Sequence, residues 1–540
     1  MRPLLLSALA VAAIAVLVLA IPSADAEDDP TVSYNGMDFI PLSPGVTEMT
    51  LVNIDESAYT ADLVIPAAFT VAGTDYTVAG IGQSSICSAV VRTIDFSNNP
   101  NLKYINEAAF ECDNLEEFRN LDNPGSKYVA IDGILYEEQL SYTNVFRCPP
   151  AISLTSFEIS NCNSISVSAF HGCTAIQEIT FGSNVDIFEI PAYTFCGCTS
   201  LTKIGYNPSD GYNHLPESVI VIKFSAFSDC TSLGNMYMPA TLRIIEDFAF
   251  HNCGFERFHL DSEISYIEDW AFAACTKFTT FEYFNDEFFD VPGYVVLDGV
   301  LYSDGRTKSL VCYPAGKAGD TYTLQDSVSE IARGAFYGTK YLKNFVANSL
   351  MTSVNAFAFE ACTSLESVDL KGRVTLLDVG AFYGCRNLTT LKGFSGVASI
   401  GSDAFGGSGI TSYEFSSSIR HVSGWAFSDT KLTSITFPDC PVTLEASAFS
   451  GCLSLKDITF EGDDFTLDPG SLNIGREETP AEVTVHIIKT ASIPSDACDD
   501  GFTTVHIDKE GEHPYPYENL IGVFVCLLIL LGIFRIIKEV

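Results

Sequence analysis

Cysteine and histidine are the residues of this chain with the most obvious chemical potential. Seventeen cysteines and eight histidines are spread over 540 residues. Cys196-Gly-Cys198, with His171 and Cys173 upstream, has the residue types of a zinc site. A structural zinc site, however, pairs two ligand motifs at set spacing, and no second pair stands nearby. The cysteines instead follow another rule. Cys173, Cys198, Cys230, Cys253, Cys275, Cys362, Cys385 and Cys452 each fall three residues after a phenylalanine. Thr339, Ser408 and Thr430 take the same place elsewhere. A position that accepts Cys, Thr or Ser wants a small, weakly polar side chain against buried backbone, which a free thiol provides. The other reading is a disulfide between neighbouring copies, such as Cys362 with Cys385. His259, His486 and His506 sit at strand positions expected to point outward, toward solvent or a ligand. No nucleophile–base order, glycosidase-like carboxylate pair or phosphate loop stands out, so the sequence predicts no enzyme, cofactor or metal. One sequon, Asn387-Leu-Thr389, is present.

The elements that would position these residues are repeats. The anchor phenylalanines are Phe110, Phe170, Phe195, Phe227, Phe250, Phe272, Phe336, Phe359, Phe382, Phe405, Phe427 and Phe449. From Phe336 onward their spacings are 23, 23, 23, 22 and 22 residues. A near-fixed period of this size signals a solenoid and lies in the leucine-rich-repeat range. After each anchor comes a run such as Leu432-Thr-Ser-Ile435-Thr-Phe437, whose latter half alternates like a half-buried strand. The Ala-Phe segment is too short for an independent helix and reads as a loop or single helical turn opposite the strand. One unit cannot bury its own apolar side, whereas a stack of units can. Gaps of 60 residues before Phe170 and 64 before Phe336 hold two similar inserts, about 121–160 and 285–328. Each carries Asp-Gly between alternating apolar residues, a hairpin signal.

The unit Ile-x-x-x-Ala-Phe-x-Gly-Cys-x-x-Leu-x-x-Ile-x-Phe, with its Asp-Gly-Val-Leu-Tyr hairpin, resembles the BspA-like class of leucine-rich repeats over roughly Ile65 to Phe460. Cys112, one residue early, departs from the pattern. The resemblance implies secreted or surface proteins of microbes, with adhesion and binding roles in some members. The expected fold is an α/β leucine-rich-repeat solenoid. Short parallel strands stack in one curved sheet, with short helical turns or loops opposite and two β-hairpin-like inserts. The expected organisation is a cap at 27–80, the solenoid at 81–470, degenerate closing coils at 471–508 and a stalk at 509–519.

Both termini are apolar. Arg2 precedes a run from Leu4 to Ile21, and Ala24-Asp25-Ala26 offers a cleavage site, so 1–26 reads as a secretory signal or an uncleaved anchor. Residues 520–537 read as a transmembrane helix, since about 18 apolar residues approach the length of a bilayer span. Arg535 and Lys538 place a short tail, 538–540, in the cytoplasm and the remainder outside. The formal net charge of −39, from 68 acidic and 29 basic residues, repels nucleic acid and anionic lipid headgroups. It serves solvation, or more pointedly a cation or basic partner.

Stacked strands align their outward residues in rows, where curved solenoids bind ligands. Asn235, Tyr237, Arg257, His259 and Glu282 combine aromatic, cationic and acidic groups on three adjacent coils, and Tyr and Arg are enriched at binding hot spots. They are the expected contact with an extracellular protein or glycan. The sequence thus points to a surface-anchored, adhesin-like binding protein; the alternative is an envelope component whose solenoids associate laterally.

Overall fold

In a computed structural model, the described residues are 31–123, 127–139, 141–260, 264–283, 293–304, 308–475, 481–488, 490–498 and 501–507. The signal, stalk and transmembrane segments expected from the sequence lie outside them. Among the described residues, no helix is long and apolar enough to cross a membrane. The chain divides into two compact units, Met1–Ser153 with Ile165–Cys173, and Leu154–Ser164 with Thr174–Val540.

In the first unit, Val32–Tyr34, Met37–Pro41 and Glu48–Ile54 pair as an antiparallel meander. Thr74–Ile81 lies parallel to Glu48–Ile54 and antiparallel to Ala68–Val71. Three strands, Asp62–Val64, Thr93–Asp95 and Glu117–Arg119, then stack in parallel. The insert forms a second meander of Tyr128–Ile131, Ile134–Gln139 and Tyr142–Arg147. Its first turn places Asp132 and Gly133 at φ 49° and 82°, the pair of positive angles that a two-residue hairpin with matching twist requires. Phe39, Leu51, Ile94, Phe96 and Phe118 form the core.

The second unit is a β-solenoid. Most coils contribute a strand to one stack and a shorter strand to another, so the single sheet expected is two. One stack includes Thr321–Thr323, Asn344–Val346, Ser367–Asp369 and Thr390–Lys392, all parallel. The other runs from Ser353–Val354 through Leu376–Leu377, Ser399–Ile400 and His421–Val422 to Val442–Leu444 and Phe465–Leu467. Of the two expected forms, helical turns or loops, the described Ala-Phe segments take the second, as non-helical turns. The one short helix described is the 3-10 turn Glu56–Ala58 of the first unit. The reason lies in the backbone bonds. Phe227 N–H donates to Ala249 O at 2.8 Å, Phe250 to Ala271 at 2.8 Å, Phe359 to Ala381 at 2.9 Å and Phe382 to Ala404 at 2.7 Å. A donor committed to the next coil cannot close a helical turn on its own carbonyls.

The turn also needs a left-handed residue two places before the anchor. Ser225, Gly334, Asp403 and Ser447 hold that position at φ 51° to 65°, and so do Tyr193, Phe248, Trp270, Phe357 and Trp425 at 56° to 65°. For a residue with a Cβ, this conformation costs about 1–2 kcal/mol.

The anchors form buried columns. Phe227 and Phe250 stack at 5.2 Å between centroids, Phe336 and Phe359 at 4.7 Å, and Phe359 and Phe382 at 5.2 Å. Removing one such ring, as in Phe359→Ala, typically costs about 3–5 kcal/mol. The second insert joins this scheme. Tyr294–Leu297, Val300–Ser303 and Lys308–Cys312 form a meander, after which Tyr313 donates its N–H to Ala335 O at 2.8 Å and stacks on Phe336 at 5.0 Å. Tyr313 therefore takes an anchor's place, and the 64-residue gap holds an additional coil.

The cysteines extend the ladder. The thiols of Cys230, Cys253, Cys275, Cys362, Cys385 and Cys452 donate to the carbonyls of Phe195, Phe227, Phe250, Phe336, Phe359 and Phe427, at 2.9 to 3.1 Å. These six cysteines are unpaired and buried. Thr430, at the same place, instead turns its hydroxyl to Phe427 O of its own coil at 2.9 Å, and Thr339 turns its hydroxyl to Cys362 Sγ at 3.1 Å. Cys and Thr interchange because each is small and can hide its one polar group in a local hydrogen bond, and the buried thiols meet the packing expectation, with Cys362 and Cys385 separate. Burial pushes the Cys452 thiol up to about 11, so it is protonated and unreactive at neutral pH.

Candidate sheet-face binding site

Five of the outward residues singled out above lie in the second unit, but they do not form the simple row expected. Met236–Tyr237, Arg257–Leu260 and Thr280–Tyr283 are parallel, with Tyr237 opposite His259 and His259 opposite Glu282. Upstream, Gly205 stands ten residues after its anchor, as Tyr237 does after Phe227, so the repeat would pair the two. The structure puts His214 there instead. At Gly205, φ is +56° and a Cβ would lie 2.1 Å from His214 O, so the chain leaves the row and makes a hairpin. Tyr206–Asn207 pairs antiparallel with Tyr212–His214, and the latter pairs parallel with Met236–Tyr237. Local bonds shape the turn. Asn207 accepts from Ser209 N–H at 3.0 Å, and Asp210 accepts from Tyr212 N–H at 2.9 Å.

The hairpin delivers three side chains that the sequence reading missed: Asp210, Tyr212 and His214. Their signal was present in the 32 residues separating Phe195 from Phe227, against 22 or 23 between most successive anchors. His214 stacks on Tyr237 at 4.9 Å, and Tyr237 on His259 at 4.3 Å, each with rings within 19° of parallel. Tyr212 meets Tyr237 and His259 edge-on at 6.3 and 6.4 Å.

His259 was expected to point outward, toward solvent or a ligand, yet it is fully buried. Tyr237 and Tyr212 pack against it, and Tyr212 comes from the hairpin that the row omitted. Asn235 is half-buried and braces the next coil, its Oδ1 accepting from Glu256 N–H at 3.0 Å and Arg257 N–H at 2.9 Å. Tyr237, Arg257 and Glu282 are the members of the original set that reach the surface concavity.

Arg257 and Glu282 form its polar wall. Arg257 Nη1 lies 3.5 Å from Glu282 Oε1, and its guanidinium sits 5.1 Å from the Tyr212 ring centroid. Tyr212 donates its hydroxyl to Glu282 Oε2. Burial, with the hydrogen bond to and charge of Glu282, pushes the Tyr212 phenol up to about 12. Burial works against ionisation of Asp210, but the Tyr212 N–H, His214 and Asn207 hold its pKa below the usual value. His214 Nε2 lies 2.9 Å from Asp210 Oδ2. The resulting concavity, about 400 Å³, is lined by Asp210, Tyr212, Tyr237, Arg257, Glu282 and Tyr283. Aromatic rings and planar polar groups meet there with their geometry already fixed, which lowers the ordering cost of binding.

The other outward histidines differ. His486 is half-buried, with Nε2 2.8 Å from Asp457 Oδ1. His506 pairs with Ile487, whose side chain is buried, and so continues the inward column rather than the outward row; it is exposed. Among the described residues, no group of three or more His, Cys, Asp or Glu side chains is arranged to hold a metal ion.

Parallel strands stacked one per coil, buried phenylalanine columns and an outward row carrying the polar chemistry together define a leucine-rich-repeat solenoid. The sequence matches the pattern of the BspA type leucine-rich repeat region over residues 142–212, 212–289, 317–430 and 380–469. The chain belongs to that family. Similar solved structures include a leucine-rich cell surface protein from Faecalibacterium prausnitzii, 17% identical, covering 89% of this chain and 97% of that one with a TM-score of 0.40. A leucine-rich repeat protein from Eubacterium ventriosum is 19% identical and covers 64% of this chain and 94% of its own, with a TM-score of 0.45. The pneumococcal vaccine antigen PcpA is 15% identical and covers 89% and 99%, with a TM-score of 0.34. Among curated proteins no sequence match is found.

Proposed function

We propose that the protein is an adhesin-like, surface-anchored binding protein that engages an extracellular protein or glycan through the outward sheet face. The observation that carries this reading is the convergence of Tyr212, Tyr237, Arg257 and Glu282 around one preorganised concavity. Tyr and Arg dominate binding energy where they sit in ordered, partly desolvated pockets. Membership of the BspA type family supports a binding role. The apolar segments at 1–26 and 520–537 support export and anchoring by one C-terminal helix. Weak single-site affinity would be multiplied by display of many copies on one cell.

The test is an array of glycans and extracellular proteins probed with the full chain in detergent, beside the Tyr237→Ala, Arg257→Ala double variant. A ligand retained by the wild type and lost by the variant, with unchanged far-UV circular dichroism, is expected. Equal retention by both rejects this site. Protease accessibility of the repeats on intact cells tests the anchoring, because an ectodomain held outside is digested without lysis.

A further inference from the structure

The turn edge of the second unit carries a different feature, away from the sheet row. The left-handed position two residues before each anchor is filled by Gly, Ser or Asp in five coils, at Ser225, Gly334, Gly380, Asp403 and Ser447. The repeats therefore act as controls for one another: the turn does not need a large side chain there. Tyr193, Phe248, Trp270 and Phe357 nonetheless adopt φ of 56° to 65°, a region that is an outlier for bulky residues. Persistent strain of this kind is a pointer to function.

The rings are not spent on the core. With Phe224 and Tyr337 they line up along the edge. Tyr193 meets Phe224 at 5.4 Å, Phe224 meets Phe248 at 5.8 Å, and Phe248 stacks on Trp270 at 5.9 Å. Trp270 reaches Tyr337 at 5.5 Å and Phe357 at 5.4 Å. It reaches across to Phe357 because Gly334, between them, has no Cβ, which would lie 2.8 Å from the indole. Tyr193 and Phe224 remain 39% and 36% exposed, and Phe248, Trp270, Tyr337 and Phe357 are half-buried. An aromatic strip therefore crosses the coils on the outside of the molecule.

Its flanks are acidic and poorly neutralised. Glu246 and Glu268 accept backbone N–H groups of Phe224 and Asp247, each at 2.9 Å. Asp247 Oδ1 has no hydrogen-bond partner among the described residues. Arg333 is 4.0 Å from Asp269, and Lys223 lies 3.5 and 3.8 Å from Glu189 and Glu246. Burial, with the charges of Glu268 and other neighbouring carboxylates, raises the pKa of Asp247. Burial also raises those of Asp269 and Glu360.

We propose that this aromatic strip is a second docking surface, one that binds a basic polypeptide segment. Lysine and arginine side chains would lie against Trp270, Phe248 and their neighbours, with Asp247 and Asp269 as counter-charges. Cations favour aromatic faces, tryptophan most of all, and a basic segment would relieve the crowding of the carboxylates. A second copy of this chain is the wrong charge, since the chain carries −39 overall and like charges oppose association. A neutral glycan would leave the carboxylates uncompensated.

The test titrates a fluorescent nona-arginine peptide against the full chain in detergent at 0.15 M salt. Phe248→Ser with Trp270→Ser installs the residue that Ser225 and Ser447 already tolerate, and should weaken binding at least tenfold. Asp247→Asn with Asp269→Asn should do the same. Tyr237→Ala with Arg257→Ala should leave peptide affinity within twofold, separating this surface from the sheet-face site. Peptide binding that survives Phe248→Ser, Trp270→Ser would be diffuse attraction to an acidic protein and would overturn the proposal. So would self-association, or retention of a neutral glycan, that this variant abolishes while peptide affinity stays unchanged. A drop in the urea midpoint of that variant, with peptide affinity unaltered, would assign the strip to stability alone.

Discussion

Two concavities of nearly equal size open on the sheet-strand side of the second unit. One, of about 400 Å³, lies among Tyr212, Tyr237, Arg257 and Glu282. The other, of about 430 Å³, lies among Thr389, Thr390, Gly393, Ser412, Glu414 and Ser416. They arise in opposite ways. The first is made by addition: a hairpin departs at Gly205 and returns with Tyr212 and His214 on its second strand. The second is made by omission. Thr390–Lys392 pairs with Ser367–Asp369, but residues 412–416 form no strand. Below both, the phenylalanine columns continue; Phe382, Phe405 and Phe427 stack at 5.4 and 5.3 Å. Volume therefore does not distinguish the two places, whereas side-chain chemistry does. The first gathers partly exposed rings and a buttressed Arg–Glu pair; the second offers hydroxyls and one carboxylate above Phe394, Tyr413 and Phe415, whose rings are buried in the core. What the repeat leaves unconstrained is where recognition can be written.

The comparison breaks most readily by paired truncation. Tyr237→Ala with Arg257→Ala should reduce ligand retention about 100-fold or more, because hot-spot truncations of ≥2 kcal/mol each are typical. Ser412→Ala with Glu414→Ala should stay within about twofold, since such groups are usually near-neutral at interfaces. The reverse ranking, measured on the same ligand, would move the binding site to the second concavity. Next in size is Gly205→Ala. A Cβ there meets His214 O at 2.1 Å, so the hairpin must shift and ligand retention should fall about tenfold, a loss of the order seen when one ordered contact worth 1.4 kcal/mol goes. The urea midpoint should move far less than in Phe359→Ala. An unaltered affinity would show that the hairpin does not hold the site. Tyr212→Phe removes the hydroxyl from Glu282 while keeping the ring, and should weaken retention about threefold to tenfold, which corresponds to the roughly 0.5–1.5 kcal/mol net worth of one ordinary hydrogen bond.

The smallest expected effect is a pH dependence. The folded Tyr212 phenol, at about 12, keeps its proton where an ordinary tyrosine, at 10.0, has lost it. Its contribution to stability is therefore complete below pH 10 and is lost as pH rises from about 10 to about 12. Urea midpoints from pH 9 to 11 should fall more steeply for the wild type than for Tyr212→Phe. Parallel curves would mean that this phenol titrates normally.

The regular parts of this architecture were legible because identical burial recurs at identical spacing. Phe336, Phe359 and Phe382 announce a column, and the Cys, Thr and Ser alternation at 362, 339 and 408 announces a small buried position. Asp132-Gly133 and Asp298-Gly299 announce hairpins because few residue pairs accept two positive φ angles. The sequence left helical turn and loop open at the Ala-Phe segments because Trp270 and Phe248 give no sign, as residue types, of a left-handed backbone. Pressure from the next coil imposes it. His259 was misplaced for a related reason. Strand alternation assigns it to the outer side correctly, but alternation does not reveal that Tyr212, 47 residues earlier in the chain, returns to cover it. Tyr313 shows the same limit, since an anchor's role passed to a residue without the surrounding motif.

The backbone bond from the anchor N–H to the next alanine carbonyl, made from Phe336 through Phe427 without a break, has a consequence for heredity. A chain lengthened or shortened by one whole unit still offers every donor an acceptor, whereas one altered by two or three residues in a turn leaves a buried amide unanswered. Length variation among descendants of this molecule should therefore be quantised in steps of 22 or 23 residues, with irregular insertions confined to places like Gly205, where the chain has already left the stack.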